Sequence, residues 1–236
     1  MDDKGIYIMT KDTTTISKDT LNILKNFSGI NSNIFVKPGS KLTTMSPTRN
    51  IVAEATVEET FDTEFGIWDL SKLLGVVSLF QDPTFVFENK YVLISGSNGS
   101  TVKYYYSDPK LLTYPTKGIK KIEPVVSFDL TYDDFRELHR AGSVLQNPDL
   151  CFVSEGDEVL AVVKDLKDPT CNVYSISVGK NTEQAEFSFN FKLENIRLMD
   201  GDYRVDISKT VVSQFTNASR PLTYWVAMDA SSTHKE

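Results

Sequence analysis

The chain has 236 residues, 40% of them hydrophobic and 24% charged, with a net charge of −7. It is longer than one ordinary domain and apolar enough for a real core, and the acidic balance excludes a surface coated in positive charge. Residues 1–10 (MDDKGIYIMT) are no signal peptide, and no run approaches the ~20 apolar residues of a membrane helix, so a cytoplasmic protein with no membrane partner is expected.

In chain order, the first helix is predicted over Ser17–Ile30, with Ser17 as N-cap, Asp19 in the first turn, and Leu21, Leu24 and Phe27 at helical spacing. An apolar strand and a tight turn follow over Asn33–Gly39, then a strand over Asn50–Val57. A second helix covers Asp69–Phe80, where Leu70, Leu73, Leu74 and Val77 form an i, i+3, i+4, i+7 stripe ended by Gln81-Asp82-Pro83. Strands are predicted over Phe85–Ser95 and Thr101–Tyr106, around the turn Ser97-Asn98-Gly99-Ser100. Residues 107–123 carry Pro109, Pro115 and Gly118 and read as a linker.

The second half opens with a helix over Thr131–Leu145, capped by Thr131, with Phe135, Leu138 and Leu145 on its apolar side. Asp149–Gly156 is a strand and Gly turn, and Val159–Val163, Val173–Val178 and Phe187–Phe191 are strands. A short fourth helix is predicted over Lys192–Met199, stopped by Asp200-Gly201, and a last strand over Thr223–Met228. The order repeats: Ser17–Leu21 lies over Thr131–Phe135, and Phe61–Trp68 before the second helix matches Ala185–Phe191 before the fourth. Two similar α+β domains are expected, 1–107 (with an N-terminal extension, 1–15) and 124–236, joined by a connector, 108–123. Antiparallel sheets would each be covered on one face by two helices, leaving the outward helix faces as the functional surface.

No catalytic constellation is visible. His139 and His234 are the only histidines, Cys151 and Cys171 form no Cys-x-x-Cys pair, and there is no Gly-x-Ser-x-Gly, His-Glu-x-x-His or phosphate loop. Gly96–Ser100 lies between two strands and reads as a hairpin turn. A binding protein, not an enzyme, with no metal or cofactor, is the expectation.

Ser17–Val36 (SKDTLNILKNFSGINSNIFV) resembles the opening helix and strand of the T-even-phage-type sliding clamps, the DNA polymerase processivity factors. Residues 67–79 (IWDLSKLLGVVSL) resemble that family's second helix, and 226–234 (VAMDASSTH) its closing strand and tail. Elsewhere the likeness is one of element order. The chain departs from the family by some ten extra N-terminal residues, either a strand extension or a start assigned upstream of Met9.

The resemblance implies a homotrimeric ring around duplex DNA, with sheets outside and helices lining the hole. It implies an ATP-dependent clamp loader, a tethered DNA polymerase, and transcription factors of late genes as further partners. Such a tether offers sparse cations to phosphates and reads no bases. The candidate lining is Lys18 and Lys25 on the first helix, Lys72 on the second, Arg136 and Arg140 on the third, and Lys192 and Arg197 on the fourth. A partner-peptide pocket near the connector would use Leu111, Leu112, Tyr114 and Pro115 with Tyr224 and Trp225. Two other readings stay open from the residues alone: a β-rich phage tail or baseplate subunit, and a small hydrolase with a carboxylate pair.

Overall fold

The computed structural model describes residues 13–119, 122–182, 184–209 and 212–235. Most of the proposed N-terminal extension, and Lys120 and Lys121 of the connector, lie outside the described residues.

The first half runs β1 (Thr14–Thr15), α1 (Lys18–Ile30), β2 (Ile34–Val36), β3 (Gly39–Met45), β4 (Ile51–Phe61), β5 (Phe65–Ile67), α2 (Leu70–Val77), β6 (Thr84–Phe87), β7 (Tyr91–Ser95) and β8 (Thr101–Tyr105). A single 3₁₀ turn, Pro109–Leu111, opens the connector. The second half runs β9 (Pro124–Leu130), α3 (Tyr132–Leu145), β10 (Asp149–Glu155), β11 (Glu158–Lys164), β12 (Tyr174–Lys180) and β13 (Glu186–Lys192). It continues through a 3₁₀ turn (Leu193–Asn195) into β14 (Tyr203–Ser208), β15 (Val212–Asn217), β16 (Leu222–Ala227) and β17 (Thr233–Lys235).

The two expected helix caps, Ser17 and Thr131, are in place, and Asp69, expected as the first residue of the second helix, is its cap instead. Each accepts a backbone N–H from the first turn of α1, α3 or α2, satisfying a donor that the helix itself cannot. The predicted fourth helix is absent. Leu193, Ile196 and Leu198 are all buried at a spacing that no helix face can present together, and Gly201, at φ +143°, ends the segment. Only one 3₁₀ turn forms. The predicted strand Phe85–Ser95 is two strands, β6 and β7, which fold on each other with Phe87 opposite Val92. Sequence reading also missed β3, β9, β14 and β15, whose alternation is diluted by Ser, Thr and Asp.

The duplication is topological. The sheet order β1-β6-β7-β8 in the first half recurs as β9-β14-β15-β16 in the second, and the pairs β2-β5 and β3-β4 correspond to the run β12-β11-β10-β13. The halves are not separate bodies: β16 pairs antiparallel with β4, from Leu222 opposite Ala55 to Val226 opposite Ile51. This creates one six-stranded sheet, β3-β4-β16-β15-β14-β9, and one apolar core crosses the seam from Phe27 and Leu42 to Tyr224, Phe215 and Phe191.

Candidate nucleic-acid interface

α1 divides cleanly into two faces. Thr20, Ile23, Leu24, Phe27 and Ile30 are buried, while Lys18, Asn22 and Lys25 are exposed on the other side. Leu21 takes an intermediate place, packed against the cluster around Phe85 and Ile94. The start of the helix is locked by Glu59 on β4, which accepts from the Ser17 backbone N–H and the Thr20 hydroxyl. Burial by itself would raise the Glu59 pKa, but these hydrogen bonds outweigh it and hold the carboxyl below its ordinary range.

α2 presents Lys72 outward over buried Leu70 and Val77, and Tyr104 on β8 donates to the Asp69 carbonyl at its start. Between α1 and α2 lies a groove of about 590 Å³ with Leu21, Leu74, Val77 and Phe80 along it and Lys18 and Lys25 at its rim. α3 buries Phe135, Leu138 and Gly142 and exposes Arg136 and Arg140. Arg136 sits 5.3 Å over the Tyr132 ring and 3.8 Å from Asp133, an exposed pair that water screens heavily.

Five of the seven candidate cations, Lys18, Lys25, Lys72, Arg136 and Arg140, are therefore exposed on helices. The other two lie off the helices and already bond within the chain. Lys192 ends β13, and its ammonium is 2.5 Å from Asp149, a carboxylate that is 1% exposed. Hydrogen bonding to that buried carboxylate holds the lysine pKa up. Arg197 donates to the Glu194 and Gly29 carbonyls, so its guanidinium caps the C-terminal end of α1 across the seam.

Sequence reading also missed the groups that close the seam. The Tyr224 hydroxyl donates to Asn26 Oδ1 at 2.7 Å and accepts the Met199 N–H at 3.1 Å. Asn26 Nδ2 donates to the Arg197 carbonyl, and Arg220 pairs with Asp19 at 3.0 Å. Burial drives the Tyr224 phenol far above its usual range, so this hydroxyl stays protonated and donating. Tyr224 is completely buried, which removes it from any partner pocket.

Its neighbour Trp225 lies on the opposite face of the sheet. There the strands align Met45, Val52, Trp225, Gln214, Asp206 and Ser127 in one cross-strand row, and the Trp225 indole N–H donates to Gln214. The connector returns along the end of this sheet. Leu112 is buried against Gly66 of β5, where an added Cβ would stand 2.5 Å from its Cδ1 and 2.9 Å from the Ser107 carbonyl oxygen. Leu112 is thus an anchor of the connector and not a pocket wall. Tyr114 packs tilted against Phe35, ring centroids 4.6 Å apart, Pro115 is half-buried, and Leu111 remains 65% exposed.

The family model described as DNA polymerase processivity factor matches residues 17–103, and the one described as gp45 sliding clamp, C terminal, matches residues 127–230. The sliding clamp of Vibrio phage KVP40 is 27% identical over 220 residues, covering 91% of this chain and 99% of the relative. That of Enterobacteria phage T4 is 27% identical over 226 residues, covering 93% and 98%. Among solved structures, A. fulgidus PCNA bound to the C-terminal region of FEN-1 superposes with a TM-score of 0.69. That likeness, at 13% identity over 94% of this chain and 99% of the other, is one of fold.

Proposed function

The chain belongs to the sliding-clamp family of DNA polymerase processivity factors, and from that premise we propose that three copies close into a ring around duplex DNA. Each subunit brings two clamp domains, 1–107 and 124–236, joined by the connector 108–123. The observation that carries the ring reading is a pair of open edges. β8 ends one sheet and β12 ends another, each with a single neighbour among the described residues. Under the duplication β8 is the counterpart of β16 and β12 the counterpart of β4, the two strands that pair within the chain. Pairing β8 of one copy with β12 of the next repeats the internal seam between molecules, and repetition of one such head-to-tail joint closes a ring.

The helical faces then line the hole. Lys18, Lys25, Lys72, Arg136 and Arg140 meet the phosphate backbone, giving sequence-independent affinity and leaving the ring free to slide. The ring tethers a polymerase through topology and is itself no enzyme. A clamp-loader ATPase opens it, in the host-cell cytoplasm if the chain is phage-encoded. Partner tails dock outside, between the connector (Leu111, Tyr114, Pro115) and the row Met45–Val52–Trp225, where aromatic and aliphatic anchors fit. The C-terminal region bound to A. fulgidus PCNA supports a peptide tail as the occupant. Transcription factors for late genes are candidates for the same surface.

Two measurements test this reading. Light scattering is expected to give about 80 kDa, three times the 26.5 kDa chain, and a stable monomer at high concentration overturns the ring. After loading, the protein is expected to stay on nicked circular DNA and leave the same DNA once linearised. Equal retention on both overturns the topological tether.

A further inference from the structure

Asn31, within the Ser17–Val36 stretch, has a role that the helix alone does not explain. Asn31 is the C-cap of α1, its backbone N–H bonded to the Phe27 carbonyl. Its side chain is 2% exposed. Asn31 Nδ2 donates to the Met45 carbonyl at 2.8 Å and to the Thr113 carbonyl at 2.9 Å, and Oδ1 accepts the Asn33 N–H at 3.1 Å. Asn33 Oδ1 in turn accepts the Thr113 N–H at 3.0 Å. One buried amide therefore spans the last residue of β3, where the Val52–Trp225 row begins, and the connector residue next to Tyr114.

We propose that Asn31 is the positioning residue of the peptide-docking surface, setting the spacing between connector and sheet and joining that surface to the DNA-facing helix α1. This rests on the docking reading above. Two donors of one rigid amide, each near 2.9 Å from a carbonyl on a different wall, fix that spacing more narrowly than apolar contact does.

The duplication supplies a comparable control. Asn147 lies one residue beyond the C-cap of α3, where Asn31 is itself the C-cap of α1; it is 5% exposed and donates from Nδ2 to the Val163 carbonyl of β11 and the Asn172 carbonyl. It has the same chemistry in the second half but holds the 165–173 loop, which is no part of the docking surface.

The test compares Asn31→Asp with Asn147→Asp in the whole protein. Each replaces the donors by a carboxylate facing two carbonyls. The probe is a synthetic peptide copying the C-terminal tail of the cognate replicative polymerase, with hydrogen exchange followed along the chain. Asn31→Asp is expected to weaken peptide binding by about tenfold or more and to speed exchange in the connector. Asn147→Asp is expected to speed exchange around residues 165–173 with peptide affinity unchanged. If Asn31→Asp does not fold, Asn33→Ala removes the acceptor of the Thr113 N–H and of a longer bond from Asn31 Nδ2 at 3.4 Å, leaves the Asn31 bonds to Met45 and Thr113 in place, and is expected to act in the same direction, more weakly. Equal loss of affinity in the Asn31 and Asn147 variants, or unchanged connector exchange in the Asn31 variant while the unaltered protein binds, overturns the inference alone. Failure of the unaltered protein to bind the peptide overturns the docking reading as well.

Discussion

At the internal seam, β16 meets β4 and the layer above is closed by directional bonds: Tyr224 to Asn26 and Met199, Arg197 to Gly29, Arg220 to Asp19. The open edges β8 and β12 have the counterpart strands and a different chemistry. Beside β12, α3 offers Val144, 73% exposed, with Ala141, Leu145 and Tyr174 along one shallow groove that Glu137 and Arg140 also line. On the first-half side Tyr105 of β8 is 65% exposed, and α2 is followed by Leu79, 73% exposed. A seam that never opens can bury polar groups, because each finds its partner as the chain folds. In the proposed ring, a joint that opens exposes its surface to water in the separated state, and apolar side chains with few obligate partners tolerate both states. The strength of such a joint would also depend on concentration, as the seam's does not.

That contrast can be broken first at the open edge. Val144→Asp places a charge in the proposed joint, and the mass is expected to fall from about 80 kDa to the 26.5 kDa chain by light scattering, with circular dichroism unchanged. Retention of the trimer removes α3 from the interface. At the seam, Tyr224→Phe keeps the ring's shape and deletes one hydroxyl. It is expected to cost about 1–3 kcal/mol in denaturant unfolding, since Asn26 and the Met199 N–H lose their partner, with trimer mass unchanged.

Smaller effects sharpen the picture on the helix faces. Replacing Lys18 and Lys25 by Ala is expected to reduce the slope of log affinity against log salt for duplex DNA by about one per lysine, with no change in sequence preference. An unchanged slope places these residues off the phosphate path. The smallest effect is expected at Glu59, whose folded pKa lies below its ordinary value. Its stabilising contribution is present above the ordinary carboxylate range and lost as pH falls through the lowered folded value. The difference in Tm between the protein and Glu59→Gln is therefore expected to be largest near neutral pH and to shrink under acid, below about pH 4. A pH-independent difference would show that the carboxylate's charge is not what holds α1.

Much of the fold was legible because its signals are local. Ser17 and Thr131 announce helix starts within four residues of the donors they cap, and the apolar stripes of α1, α2 and α3 repeat at helical period. The fourth segment carried Leu193 and Ile196 at a helical spacing too. It formed only a turn because Leu193 is drawn against Gly142 of α3, where an added Cβ would lie 2.2 Å from its Cδ2. No window of sequence contains that contact.

The candidate site divides along the same line. Lys18, Lys25, Arg136 and Arg140 could be placed opposite buried neighbours on their own helices. Lys192 and Arg197 could not, because their partners Asp149 and Gly29 lie 43 and 168 residues away. Strand alternation likewise puts Tyr224 and Trp225 on opposite faces, but it is silent on which one turns inward.

By itself, then, the sequence determined the helix caps, the repeated order of elements, the lack of catalytic motifs and the family's signature at Ser17–Val36, all written within a few residues or one helical turn. Tertiary structure decided that Lys192 and Arg197 bond to distant segments, that Tyr224 seals the seam while Trp225 faces out, and that Asn31 ties α1 to the connector at Thr113, 82 residues on. Those outcomes turn on charge pairing and burial between distant segments, and such partners come into contact only when β4 and β16 join the two halves.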